Sequence, residues 1–475
     1  VHRRSRQFRT QRRHRHATTQ VTPTDAKGTL TASVTRPTQR VKPILSPELA
    51  TESPAARERI TAAYAREEPE HLAELLEAAT LPPEMQAGVQ ATAVALVERT
   101  RVRSANPELI QAFMRQYDLS SEEGVLLMCV AEALLRIPDE LTADKLIRDK
   151  LGDAAWEKHL GGSSSVLVNA STWGLMLTGR MVSLAEDTRR DFGGAFRRLI
   201  ARTGEPVIRI AVRQAMRIMG HQFVMGRTIG EVLDRSLKSE NSRYRYSFDM
   251  LGEGALTSKD AARYFQAYRD AIGAIGASLE STGGTASVFA APSISVKLSA
   301  LHPRFEVGKR ARVMAELLPR VLELAQHAKA QGIGFTIDAE ESERLELSLD
   351  LIGSVFADRS LDGWEGYGLA VQSYLKRAPF VIDELAALAR QVGRRMPMRL
   401  VKGAYWDSEI KKAQVEGFDD YPVFTRKVNT DLGYLACARR LFAATDAFYP
   451  MFATHNAQTI AAIHAMANEG EKRRD

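Results

Sequence analysis

PSISVKLSAL (292–301), RARVMAELLPRVLELAQHAKAQG (310–332) and IGFTIDAEE (333–341) follow one another as strand, helix and strand. The outer two are short apolar runs rich in β-branched residues, and the middle one has the 3.6-residue apolar period of an amphipathic helix. Two strands joined by one helix are parallel neighbours. In the first run Ile294, Val296 and Leu298 share one face, and Ser295, Lys297 and Ser299 share the other. In the second, Phe335, Ile337 and Ala339 oppose Thr336, Asp338 and Glu340. If the polar faces point inward, Lys297 and Asp338 come from adjacent strands and pair. Spacing alone leaves a structural ion pair and a catalytic pair equally open.

The same texture runs through the whole second half. YRYSFDML (244–251), YGLAVQSY (367–374), MPMRLVKGAY (396–405) and YPMFATHN (449–456) read as strands. SERLELSLDLIGSVF (342–356) and PFVIDELAALARQVG (379–393) read as helices between them. Repeated βα units make either a (β/α) barrel or a doubly wound sheet, and no GxGxxG follows a strand to indicate the dinucleotide-binding form. Each strand ends in polar groups: Asp249, Lys297, Asp338 with Glu340 and Glu341, Gln372, Arg399, and Thr454 with His455 and Asn456. Polar residues at successive strand ends argue for a barrel with a polar ligand at its mouth.

The run RLVKGAYWDSEIKKA (399–413) passes from strand to helix. Arg399 and Lys402 face opposite ways on a regular strand, and Gly403 either breaks the pleat or lets a planar ligand reach the backbone. Asp407 and Lys411 have the spacing of an i,i+4 ion pair.

The first half is helical. SPAARERITAAYAREEPEHLAELLEAA (53–79) opens it, with Ser53 placed to cap and Pro54 suited to the first turn. Helical periodicity continues through PELIQAFMRQYDLSSEEGVLLMCVAEALLRIP (107–138) and PVIRIAVRQAMRIMGHQFVMG (206–226). The fold class is therefore α/β, with four parts: a basic tail over 1–45, a helical arm over 46–107, an all-α domain and linker over 108–237, and the barrel over 238–475.

Of the chain's 475 residues, 44% are apolar and 26% charged, as in ordinary globular proteins. The tail holds eleven Lys/Arg against Asp25, a net of +10, which leaves −3 of the total +7 for the rest. The basic balance thus describes a solvated tail, whose lack of folded-motif spacing argues against a nucleic-acid partner. Two cysteines, Cys129 and Cys437, give neither a disulfide framework nor a metal cluster and point to the cytoplasm. No GxSxG, HExxH or CxxC is present, no metal site is expected, and no apolar run is long enough to span a membrane. Two other functions compete on residues alone: a barrel lyase using Lys297 as a Schiff-base nucleophile, and nucleic-acid binding through the tail.

SVKLSALHPRF (295–305), IDAEESERLELSLDL (337–351), RLVKGAYWDSEIKKAQ (399–414), YPVFTRKVNTDLGYLACARRL (421–441) and FATHNAQT (452–459) closely resemble the proline dehydrogenase part of the bacterial proline utilization A family. LSSEEGVLLMCVAEALLRIPD (119–139) and VNASTWGLMLTG (168–179) resemble the helical region ahead of that family's barrel. The resemblance runs from about residue 55 to about residue 468. It implies a (β/α)8 TIM-type barrel that binds FAD and oxidises L-proline to Δ1-pyrroline-5-carboxylate. Electrons would pass to a quinone at the inner membrane face, and the full-length form would be a homo-oligomer. By the same resemblance, Lys297, Asp338, Arg399 and Tyr405 would act on the substrate. FAD would contact Asp338, Ala339, Gln372, Arg399, Val401, Gly403, Ala404, Trp406, Thr425, Lys427, Thr454, His455 and Asn456. The family's last two strands, with a helix bearing a Tyr and an Arg-Arg pair, and its aldehyde dehydrogenase half have no counterpart in this sequence. The expectation is therefore an incomplete barrel of about six of eight strands, with weak or no turnover alone.

Overall fold

A computed structural model describes residues 55–104, 224–250 and 254–471. The basic tail, Ser53, Pro54 and nearly all of the all-α region lie outside them. Helices α1 (Ala55–Ala62), α2 (Glu68–Ala79) and α3 (Pro83–Ser104) form the arm, and α4 is Ile229–Ser236. The βα series follows: β1 (Ser247–Asp249), α5 (Ser258–Ser281), β2 (Ser293–Val296), the short α6 (Leu298–Leu301), α7 (Arg310–Glu316) and α8 (Leu318–Ala330). It continues with β3 (Gly334–Ile337), α9 (Leu345–Phe356), β4 (Tyr367–Gln372), α10 (Ala378–Val392), β5 (Met396–Val401), α11 (Trp406–Glu416), α12 (Lys427–Ala443), β6 (Phe448–Phe452) and α13 (Ala457–Glu471).

The helix boundaries have local causes. Thr257 and Asp260 form a reciprocal capping box at the start of α5, and Thr228 caps α4. Gly393 ends α10 in the left-handed conformation, where a side chain would be strained.

The six strands form one parallel sheet in chain order β1 to β6. The register sets Ile294 beside Phe335 and Val296 beside Ile337, so the apolar residues line up under the outer helices. All four are fully buried, as are Val321 and Leu324 of α8 and Val355 and Phe356 of α9. That continuous core is what a sheet covered by helices requires.

The sheet is strongly curled. In a flat sheet, with strands about 4.8 Å apart, β5 would lie roughly 14 Å from β2 and 19 Å from β1. Yet Arg399 of β5 donates to Ser295 Oγ of β2 at 3.0 Å and to Ser247 Oγ of β1 at 3.4 Å. At the opposite end, Phe289 ahead of β2 stacks on Tyr449 of β6 with centroids 4.2 Å apart. The inner face therefore closes round a lumen, while β1 and β6 stay unpaired edges among the described residues. This is the incomplete six-stranded barrel expected from the sequence.

Three local expectations are corrected. β1 is three residues long, although its apolar run suggests a longer strand. Period two stops at Lys297, because Leu298 and Ser299 already belong to α6. Asp407 and Lys411 do not pair; Lys412 meets Glu343 instead.

Candidate active site

β2, β3 and β5 each deliver one charged group to the lumen. Lys297 directly follows β2, Asp338 directly follows β3, and Arg399 lies within β5. Lys297 Nζ donates to Asp338 Oδ2 at 3.0 Å, and Arg399 donates to Asp338 Oδ1. Both oxygens of Asp338 are thus occupied by cations from its two sides. The pairing read from the alternation is present, and a third member joins it from across the barrel.

Asp249, at the end of β1, is the fourth member. Its carboxylate lies 3.3 and 3.4 Å from Lys297 Nζ. Burial pushes its pKa up, Lys297 offsets this, and the Asp338 charge adds to the rise. The site thus balances two cations against two carboxylates. Tyr268 of α5, fully buried, accepts from the Lys297 backbone N–H at 3.3 Å and fixes the start of the turn. Burial alone would push its phenol well above the usual range.

The polar residues flanking this cluster have other duties. Glu340 turns away from the lumen, accepting from Ser299 N–H at 2.9 Å and Arg344 at 2.7 Å, and burial raises its pKa. Gln372 spans two loops, donating to Glu340 O at 2.8 Å and accepting from Ala404 N–H at 3.0 Å. Ala339 and Val401 are half-buried beside them.

A second group lies on the rim beyond β5 and β6. Lys402 faces away from Arg399, as the pleat requires, and meets Asp431 of α12. Lys427 donates to the same carboxylate at 3.4 Å. Trp406 donates its indole N–H to Phe424 O at 2.9 Å, which leaves the ring 41% exposed. Tyr405 is the half-buried residue at the start of α11. His455 is exposed. Asn456 accepts from Thr459 N–H at 3.0 Å, capping α13, and donates its own N–H to Thr454 Oγ1 at 3.2 Å. Thr425 is on this rim too, but its N–H and O–H both go to Glu68 of the arm.

Gly403 shows what the rim is shaped for. Its φ of 141° disfavours any side chain, and a Cβ there would sit 2.4 Å from the Tyr374 ring. Gly403 and Ala404 are both exposed, so bare backbone faces the mouth beside an open indole and a lysine. A planar, anionic cofactor fits such a surface, with small residues under the ring and cations at its edge.

A curled parallel sheet with a charged lumen at its C-terminal end defines a (β/α)-barrel protein, whose mouth is the candidate site. Residues 232–475 match the proline dehydrogenase family model, and the chain belongs to that family, which is flavin-dependent. Residues 55–101 match the proline utilization A proline dehydrogenase N-terminal domain. Residues 109–223 match a model described as the DNA-binding domain of proline dehydrogenase.

The chain is 49% identical over 416 residues to the bifunctional protein PutA of Klebsiella aerogenes, covering 87% of this chain and 31% of that one. It is 51% identical over 414 residues to the bifunctional protein PutA of Rhizobium meliloti, covering 87% and 33%. A crystal structure of a Bradyrhizobium japonicum proline utilization A mutant aligns with TM-score 0.63 at 50% identity, over 85% of this chain and 40% of that one. The chain thus spans about a third of the length of these curated relatives.

Sequence reasoning does not single out Ser295 and Ser247 as Arg399 partners, Tyr268 behind Lys297, Asp431 as the partner of Lys402 and Lys427, or Glu68 as the Thr425 partner. Ser295 is visible in the sequence as an inward position of β2. Glu68 lies 357 residues from its partner, and no local pattern signals it.

Proposed function

We propose that this chain is a flavin-dependent proline dehydrogenase module that oxidises L-proline to Δ1-pyrroline-5-carboxylate. The observation that carries the reading is the lumen cluster, in which Lys297, Asp338 and Arg399 converge from three strands. When bound, FAD supplies the two-electron acceptor for the hydride leaving proline C5.

The chain's own residues do the positioning. Lys297 presents an ammonium to the substrate carboxylate, since the mouth is open toward Asp249, half-exposed at the edge. Asp338 accepts from both cations, one on each oxygen, and so orients them. Arg399, held by Asp338 and Ser295, would supply a fixed positive charge to a bound flavin ring and favour negative charge on it. Tyr405 borders the substrate at the start of α11. Gly403, Ala404 and Val401 give the ring room, Trp406 offers an aromatic face, and Lys427 and His455 serve the anionic end. Gln372 acts through Ala404, which it holds in place, and Ala339, Thr425, Thr454 and Asn456 complete the rim.

The electron acceptor in this reading is a quinone, reached at a membrane surface rather than across it. Among the described residues no helix is long and apolar enough to cross a membrane. The reading includes homo-oligomerisation of the full-length form and no nucleic-acid partner for the basic tail; residues 109–223 match a model described as a DNA-binding domain, so a gel-shift assay with duplex DNA on the chain with and without residues 1–45 checks both. The competing Schiff-base lyase is separated from this reading by borohydride trapping with a keto substrate, which should leave Lys297 unmodified.

The test is proline-dependent dye reduction by the purified chain loaded with FAD, compared with Lys297→Ala. The reading expects weak but measurable activity in the first, below that of a full-length relative, and at least a hundredfold loss in kcat/KM in the second, about 2.7 kcal/mol. Equal rates in the two would contradict it.

A further inference from the structure

Glu68 is buried and opens α2, and its carboxylate reaches across to the turn on the cofactor rim that leads into α12. We propose that Glu68 is a positioning residue for the flavin site, holding the Phe424–Lys427 turn from the arm; this rests on the flavin reading above. Its carboxylate accepts from Thr425 N–H at 3.1 Å, Thr425 Oγ1 at 2.9 Å and Asn429 Nδ2 at 2.5 Å. Two of these donors belong to the turn entering α12, where backbone N–H groups lack helical partners and the helix dipole favours a negative charge. α2 then runs along α12, with Leu75 and Ala79 packed against Phe424 and Ala436.

The same turn sets the rim. Phe424 O receives the Trp406 indole N–H, and Phe424 N–H donates to Tyr374 O at 2.9 Å. Tyr374 is the ring against which Gly403 is packed. Thr425, Trp406 and Gly403 are therefore all referenced to one turn, and Glu68 braces its outer side. Because Thr425 O–H points to Glu68, its remaining lone pairs can serve a ligand only as acceptors. Glu68 thus determines how Thr425 meets the cofactor without touching it.

A simple clamp for the arm is the competing explanation, and the arm has a second clamp to compare. Arg57 of α1 binds Glu384 at 2.7 Å, Asp350 at 3.2 Å and Glu346 O at 3.0 Å, on α10 and α9. Neither partner helix carries a rim residue. Glu68→Gln leaves one acceptor oxygen and turns an N–H2 toward donors, while Arg57→Gln breaks the other clamp.

The experiment titrates FAD into the flavin-free wild-type chain, Glu68→Gln and Arg57→Gln, reading flavin fluorescence and visible circular dichroism, with melting temperatures alongside. Both variants are expected to lose melting temperature. Only Glu68→Gln is expected to weaken FAD binding, by about tenfold for a lost charged hydrogen-bond set, and to shift the visible dichroism. Glu68→Asp, which keeps the charge, is expected to recover part of the affinity. Wild-type Kd in Glu68→Gln, or equal weakening in both variants, overturns the inference while the flavin reading stands. A wild-type chain that binds no FAD overturns both.

Discussion

Gly403→Ala tests the shape of the rim, and its cost can be worked from two separate contributions. The first is backbone strain: alanine must adopt φ near 141°, and sparsely populated conformations cost about 1–3 kcal/mol. The second is overlap, since the new Cβ falls 2.4, 2.5 and 2.6 Å from three atoms of the Tyr374 ring. That ring cannot retreat easily. It is buried, and its backbone is tied on both sides, donating to Lys402 O at 2.8 Å and accepting from Phe424 N–H at 2.9 Å. Overpacking of this kind costs another 1–3 kcal/mol or so, giving a total of about 4 kcal/mol. Urea unfolding followed by far-UV circular dichroism measures it. Repeating the substitution in a Tyr374→Ala background separates the two contributions, because only the strain should remain, at about 2 kcal/mol. Destabilisation under about 1 kcal/mol, or no coupling between the two sites, would refute the reasoning.

Two further predictions concern charge. Asp338→Ala removes the shared partner of Lys297 and Arg399, whose side chains are largely buried. Loss of one member of a buried ionic cluster should cost about 3 kcal/mol in chemical denaturation, and a change below about 1 kcal/mol would contradict the pairing. His71, buried between Phe380 and Phe424, has its pKa pushed down to about 4 by burial and by Arg66, from an ordinary 6.5. Below pH 6.5 the unfolded chain takes up a proton that the folded chain refuses until about pH 4. Stability is therefore full above that window and falls as pH drops through it, by up to about 3 kcal/mol. Unfolding free energies of the wild type and His71→Phe, measured at neutral pH and near pH 4, should converge on this difference; parallel pH profiles would refute it.

Much of this fold is legible in the sequence because parallel strands under helices leave a plain signature. The alternation in 292–301 and 333–341 places Lys297 and Asp338 on one face, and the structure pairs them. It fails one residue later, where α6 begins and Ser299 leaves the strand. Alternation continues only as long as the extended backbone does, and sequence gives strand ends least sharply. Polar strand ends also carry two meanings that sequence cannot separate. Arg399 enters the lumen, whereas Asn456 caps α13 and Gln372 bridges two loops. The duties of Asn456 and Gln372 satisfy backbone groups that any fold must satisfy. Glu68 is hidden for a different reason: its partners are set by how the arm packs along α12, a tertiary event with no local pattern.

If the lumen at the strand ends presents L-proline to a flavin, the flavin itself should report it. The decisive experiment is anaerobic addition of L-proline to the FAD-loaded chain, with the visible flavin band followed in a single turnover and no external acceptor present. The band should bleach with L-proline, however slowly, and stay unchanged with D-proline or in Lys297→Ala. A chain that holds FAD yet leaves it oxidised in the presence of saturating L-proline would contradict this role for the lumen.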